Sequence, residues 1–235
     1  MVSSVMLDRL LGWSLELGKV DYERTLGWQH GLVRMREHGL ARDTIITVEH
    51  PEVVTVGRDG HESNYRHSPM APHFVERGGD VTYHGPGQLV VYFVFNLTRR
   101  GRDLHQFMGN IQQGTITALR DIGIQATRGE KHTGLWVDGR KIVSLGLAVK
   151  HWITFHGIAI NLNTRLEDFK KINPCGLDAE VMTSAHKILG KKVDLKKFSA
   201  NLIEKYSQEF KTDFAPVSLD SLAEELESQA GGYEI

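Results

Sequence analysis

Cysteine is nearly absent: the chain of 235 residues has one, Cys175. A single thiol excludes an intrachain disulfide framework and every cysteine-based zinc cluster. Excess charge of either sign is missing too, with 28 Lys plus Arg against 29 Asp plus Glu. That balance removes the general electrostatic case for a nucleic-acid binder. Long apolar runs are lacking, since the most apolar stretch, residues 89–95, is far shorter than the ~20 residues a membrane helix needs. Near the start, Leu10-Leu11 follows Asp8-Arg9 and is broken by Gly12 and Ser14, so no cleaved signal peptide is expected. Neither a Walker-type phosphate loop nor the His-Glu-x-x-His spacing of a metal-binding helix occurs. Together these absences predict a soluble, cytoplasmic protein with no metal and no membrane or nucleic-acid partner.

What is present reads as one globular domain over residues 1–235, long enough to bury a sizeable core. Residues 21–37 have apolar positions at helical spacing. Residues 44–48 and 53–56 are β-branched runs on either side of His50-Pro51, which predicts two strands around a turn. Residues 89–97 are apolar on both faces, as in a buried strand. Leu104, Phe107, Ile111, Ala118, Leu119 and Ile122 mark one face of a helix. Residues 135–149 predict a β-hairpin turning at Asp138-Gly139, a dipeptide suited to positive φ, and residues 158–162 a further strand. Asp194 can N-cap a helix with Leu195, Phe198, Leu202, Tyr206 and Phe210 on one stripe. After Pro216, Ser221 and Glu224 suggest a capping box and a second helix. Residues 193–235 are thus expected to be C-terminal helices covering the domain. Strands clustered between separate helices predict an α+β fold, a mixed sheet with flanking helices.

Four segments carry chemistry. The densest is Arg77-Gly78-Gly79-Asp80-Val81-Thr82-Tyr83-His84-Gly85-Pro86-Gly87-Gln88, where glycines let a ligand approach the backbone and polar side chains can fix its atoms. Each of its residues alone is compatible with an ordinary turn, but the set exceeds what a turn needs. Cys175 lies in Asn173-Pro174-Cys175-Gly176, a turn context that favours exposure. It is either an inert thiol or a nucleophile whose ordinary pKa of about 8.5 needs a neighbouring cation. Lys141, followed by Ser144-Leu145-Gly146, is either a solvated hairpin lysine or that cation. His156-Gly157-Ile158-Ala159 reads as a turn entering a strand, or as part of a binding wall.

In order and spacing these four segments resemble the lipoyl(octanoyl) transferase family over roughly residues 22–185. The resemblance implies a biotin/lipoate protein ligase-like catalytic domain and an acyltransferase that needs no cofactor. It implies Cys175 as acyl-thioester nucleophile and Lys141 as the residue that lowers its pKa. Arg77, Gly78, Gly79, Asp80, Val81, Thr82, Tyr83, His84, Ser144, Leu145, Gly146, Gly157, Ile158 and Ala159 would bind substrate. The implied donor is octanoyl-acyl carrier protein. The implied acceptors are lysines of the lipoyl domains of 2-oxoacid dehydrogenases and of the glycine cleavage H protein. Ile158 and Ile160 stand where Phe and Leu are common in the family, which leaves acyl-chain preference open. The alternatives are an ATP-dependent lipoate ligase of the same superfamily, a non-catalytic binder of acylated proteins, and a thiol hydrolase. Arg99, Arg100 and Arg102, the tightest arginine cluster, are expected on the face that meets the acidic carrier.

Overall fold

The computed structural model describes residues 9–221 except 131 and 177, with Cys175 described through its backbone. Its elements are β1 (Leu10–Lys19), α1 (Tyr22–Glu37), β2 (Asp43–Glu49), β3 (Val53–Val56), β4 (Pro72–Phe74), β5 (Val81–His84) and β6 (Gln88–Val94). There follow α2 (Leu104–Asp121), β7 (Thr127–Arg128), β8 (Leu135–Val137), β9 (Arg140–Lys150) and β10 (Ile153–Asn161). The last are α3 (Ala185–Leu189), α4 (Leu195–Glu209) and β11 (Thr212–Val217). Eight strands form one mixed sheet in the order β11-β1-β2-β6-β10-β9-β8-β7, and a small sheet has the order β4-β3-β5.

The pleat of β6 explains the layering. Leu89, Val91 and Phe93 face the side covered by α2 and α4, while Val90, Tyr92 and Val94 face α1. Alternate side chains of a strand point to opposite faces, so a strand covered on both sides must be apolar throughout. On the α2 side, Phe107 and Ile111 of α2 and Leu202 and Tyr206 of α4 meet Phe93 and Phe95. Phe93 packs edge-on to Tyr206 at 5.1 Å, a geometry worth about 0.5–1.5 kcal/mol beyond area burial. The Tyr206 hydroxyl is satisfied by Thr115 at 2.7 Å, which lets it stay in the core. Asp194 caps α4 by accepting from the Lys197 N–H at 3.1 Å.

Several expectations change. Residues 44–48 and 53–56 are strands, but they do not pair with each other: β2 belongs to the large sheet and β3 to the small one. Pro216, expected to precede a second helix, lies inside β11, which pairs in parallel with β1. Proline is tolerated there because β11 is an edge strand. The helix expected beyond it has its residues from 222 onward outside those described. No helix among the described residues is long and apolar enough to cross a membrane.

The arginine cluster is divided. Arg100 turns inward and donates to Asp43 Oδ2 from Nε at 3.0 Å and from Nη2 at 2.9 Å. It also donates to Phe210 O at 3.0 Å and Thr212 Oγ1 at 2.9 Å, and lies 5.0 Å from the Phe95 ring centre. Arg36 pairs with the other Asp43 oxygen at 2.9 Å. Asp43 and both arginines are largely buried, with side chains 6% to 13% exposed. Arg100 therefore holds α4 and β11 to β2 and is unavailable for docking. Removing one partner of a buried pair leaves charge without compensation. Asp43→Asn should lower the unfolding free energy by about 3–5 kcal/mol in urea denaturation. A loss below about 1 kcal/mol would show that the network behaves like an ordinary surface pair.

Candidate active site

The two sheets meet where residues 77–79 cross β9. Gly78 N donates to Leu147 O at 2.9 Å, and a Cβ on Gly146 would lie 2.8 Å from Gly78 O. Only glycine fits at position 146 with the crossing chain so close. Arg77 is anchored by donating to Thr55 O and Thr55 Oγ1 at 2.9 and 3.0 Å. Gly79 N donates to Asp59 at 2.9 Å. This crossing encloses a cavity of about 430 Å³ between the glycine-rich segment, β5, β9 and β10.

The cavity brings together Arg77, Gly78, Gly79, Asp80, Thr82, His84, Lys141, Ser144, Leu145, Gly146, Gly157, Ile158 and Ala159. Val81 and Tyr83 do not line it. They point to the opposite face of β5 and pack with Phe169, Ile172 and Met182, as strand alternation requires. Several lining residues were not singled out from the sequence, among them Tyr22, Leu104, Met108 and His132. Each reaches the cavity from a distant element, so no local pattern marks it. Tyr92 closes the stretch that resembles the family signature, and Leu147 was legible only as a strand residue.

Lys141 is 3% exposed, which excludes a solvated hairpin lysine. Its Nζ lies 5.2 Å from the centre of the Trp136 ring. Asp138 and Gly139 both have positive φ, 48° and 74°, so the expected turn sets this register. The Lys141 carbonyl accepts from Thr183 N at 2.9 Å, and Lys141 bridges Met182 in parallel. The segment just after Cys175 is thereby bound to the strand that carries the lysine. Pro174–Gly176 forms a single 3₁₀ turn. Asn173 N donates to Asn64 O at 2.8 Å, and Asn64 Nδ2 donates to Asp80. Asn64 thus fastens the cysteine turn to the start of β5.

His84 and His156 line the cavity, with His50 packed against His84 and His30 sharing Glu76 with His156. His156 has φ 59° inside β10, and its N–H is taken by Gln29 Oε1 at 2.8 Å. Its Nε2 lies 3.4 Å from Glu76 Oε2, and His30 Nε2 lies 3.2 Å from Glu76 Oε1. The hydrogen bonds from His156 and His30 hold the Glu76 carboxyl well below its usual range. His50 Nδ1 meets Val20 O at 2.7 Å and its Nε2 meets Tyr92 Oη at 2.8 Å. Burial lowers the pKa of His50 and of His156, and pushes His84 down to about 3, with the charge of His50 acting in the same direction.

A large mixed sheet beside a small one, with helices flanking both faces, is the fold of the lipoate and biotin protein ligase catalytic domains. A crystal structure of lipoate-protein ligase A bound with ATP superposes with a TM-score of 0.75 at 17% identity, covering 94% of this chain and 93% of that one. Biotin protein ligase from Aquifex aeolicus in complex with biotin and ATP gives 0.54 at 17% identity, covering 85% and 70%. At these identities the likeness is one of fold. Residues 21–207 match the model of the lipoyl protein ligase A/B catalytic domain, and the chain belongs to that family. It is 42% identical over 180 residues to an octanoyltransferase of Geobacter metallireducens, covering 77% of this chain and 84% of that one.

The neutral histidines make stability pH-dependent. A histidine whose pKa is depressed by folding takes up protons more readily in the unfolded chain, so stability is complete above about pH 6.5 and falls as pH drops toward the folded value. For His84 the loss between pH 7 and pH 5 is about 2 kcal/mol, with His50 and His156 acting in the same direction. Urea midpoints across this range should fall more steeply for wild type than for His84→Gln. Parallel curves would mean that His84 is not held neutral.

Proposed function

We propose that this chain is an octanoyltransferase that carries the acyl group on Cys175 between an acyl carrier protein and a lysine of a lipoyl domain. The observation that carries this reading is the buried Lys141 at the cavity wall, hydrogen-bonded through its backbone to the segment following the Cys175 turn. The relatives named octanoyltransferase supply the acyl group. The thiolate of Cys175 attacks the carbonyl of the donor thioester, the tetrahedral adduct collapses, and the carrier sulfur departs as a thiol by taking a proton from the Lys141 ammonium, which is left as the neutral amine. One thioester replaces another, so little free energy changes. The neutral amine of the acceptor lysine then attacks the Cys175 thioester, forms an amide and releases the cysteine thiolate. The amine's second proton passes to a base. This divides the transfer into two acyl steps and requires no nucleotide activation.

In the first step a Lys141 ammonium favours the thiolate by opposite charge. In the second, the neutral amine of Lys141 can accept the proton of the incoming lysine, whose unperturbed pKa is about 10.4. Arg77, Gly78, Gly79, Asp80, Thr82 and His84 with Ser144, Leu145, Gly146, Gly157, Ile158 and Ala159 are assigned to the acyl site. Val81 and Tyr83 support it from behind. Acceptors of the 2-oxoacid dehydrogenase and glycine cleavage H type, and a cytoplasmic location, fit the same reading. An ATP-dependent ligase is disfavoured by the 42% identity to an octanoyltransferase.

Mixing the purified protein with octanoyl-acyl carrier protein should add one octanoyl group to the Cys175 peptide, and transfer to a lipoyl domain should be independent of ATP. Cys175→Ala should lose on the order of 10³-fold or more in turnover while remaining folded. Retained turnover would remove the covalent mechanism. Lys141→Arg keeps the charge but cannot act as a base. It should alkylate at Cys175 nearly as fast as wild type yet form amide about 10²-fold more slowly, while Lys141→Ala should lose both. Identical alkylation pH profiles in wild type and Lys141→Ala would separate the lysine from the cysteine.

A further inference from the structure

Two polar groups in the cavity have no task in holding a plain hydrocarbon chain. Tyr22 and His84 are 4% and 6% exposed, both line the cavity, and their rings stack at 5.9 Å with 12° between planes. Gln88 decides what His84 presents. Gln88 Nε2 donates to Tyr83 O at 3.2 Å and Asn161 Oδ1 at 3.0 Å. Its Oε1 is therefore the acceptor in the 2.7 Å contact with His84 Nδ1. A neutral ring protonated at Nδ1 carries a lone pair at Nε2, and no described residue donates to it. The Tyr22 hydroxyl makes no hydrogen bond among the described residues either. Tyr92 is already committed, because His50 Nδ1 must donate to Val20 O and so its Nε2 takes the Tyr92 proton. This end of the cavity thus offers one donor, Tyr22 Oη, beside one acceptor, His84 Nε2.

Distance along β5 determines which part of a substrate they meet. A Cβ on Gly176 would lie 3.6 Å from Asn64 Nδ2, the atom that donates to Asp80. The cysteine turn therefore flanks Asp80, just before β5, whereas His84 ends that strand. Four steps along a strand span roughly 13 Å, too far for His84 to touch the thioester carbonyl or the attacking amine. Asp80, Thr82 and His84 all line the cavity, so it follows β5 over this length. An extended eight-carbon acyl chain, with bonds of about 1.5 Å, reaches roughly 9 Å. Its far end arrives near the Tyr22–His84 pair.

We propose that the inner end of the cavity accepts medium-chain acyl groups bearing a hydroxyl at or next to the ω carbon, which accepts from Tyr22 Oη and donates to His84 Nε2. The proposal rests on the octanoyl-transfer reading above. A terminal carboxylate does not fit: it can accept from Tyr22, but it has no proton to offer His84 Nε2.

The test compares kcat/KM for octanoyl-, 8-hydroxyoctanoyl- and 7-carboxyheptanoyl-acyl carrier protein with one lipoyl-domain acceptor, in wild type, Tyr22→Phe and His84→Phe. Wild type should use the hydroxylated group at least as well as octanoyl, and the carboxylated one at least about tenfold worse. The ratio of hydroxylated to plain substrate should fall about tenfold in each variant. Because the ratio is taken within one protein, a general loss of activity cancels. If a variant does not fold, the wild-type ratios decide alone. A wild type that disfavours the hydroxylated group tenfold, or an active variant with an unchanged ratio, overturns the proposal. A wild type that transfers none of the three groups overturns octanoyl transfer instead.

Discussion

Where Gly78 crosses β9, two sheets that share no hydrogen-bonded strand pair are brought within backbone contact. The crossing depends on the absence of a side chain at position 146, since a Cβ there would overlap Gly78 O. Gly157 sits beside Gly146 in register on β10, so the wall under the crossing has no side chains across two adjacent strands. Everything that makes a site follows from this contact. It closes the cavity, sets β5 opposite β9, and brings the Asn64–Asp80 link that holds the cysteine turn to the same side as Lys141. A backbone-to-backbone approach is suited to the purpose because it fixes the cavity's width without relying on flexible side chains.

The polar groups around that cavity are kept in single protonation patterns by partners outside it. Val20 O fixes the tautomer of His50, Gln88 that of His84, and Glu76 draws His30 and His156 together. Buried polar groups cost free energy unless they are hydrogen-bonded, and here the outward-facing nitrogens are satisfied while the inward-facing atoms define the lining. Burial keeps His84 neutral, and a neutral imidazole presents a lone pair where an imidazolium would present a proton. The chemistry of the inner wall is thus set by second partners that never touch the cavity.

Much of the fold was legible because its signals are local. The stripe of Leu104, Phe107 and Ile111, the Asp194 cap and the Asp138-Gly139 turn each depend on residues within a few positions of one another, and all three elements form as the pattern requires. β1 and β11 were not legible, because β11 pairs with β1 alone, from far away in the sequence, and β1 lies between it and β2. Pro216 argued against a strand, and only an edge position permits one. Residues 53–56 looked like the second strand of a hairpin because periodicity identifies a strand but not its sheet. At the site, the glycines and Lys141 were marked by type and spacing. Tyr22 carried no such mark, since a tyrosine opening an amphipathic helix is ordinary until the ring is seen stacked on His84. Val81 and Tyr83 were drawn into the site by their neighbours, although strand alternation alone places them on the other face.

The pairing of β1 with β11 also has a consequence in time. Leu10 lies beside Thr212, so β1 receives its outer neighbour only after the whole intervening chain has been made. At typical elongation rates of 5–20 residues per second, the intervening chain takes roughly 10–40 s to emerge. Throughout that interval β1 is a bare edge, with β2 on one side and unpaired backbone groups on the other. The Arg100 guanidinium, which bonds Asp43 beside β1 and Thr212 in β11, cannot complete its set of partners until the same moment. Residues 210–217 therefore both pair the outer edge of β1 and complete the hydrogen bonds of the buried Arg100 guanidinium, and a ribosome that stalls before them leaves the β1 edge open.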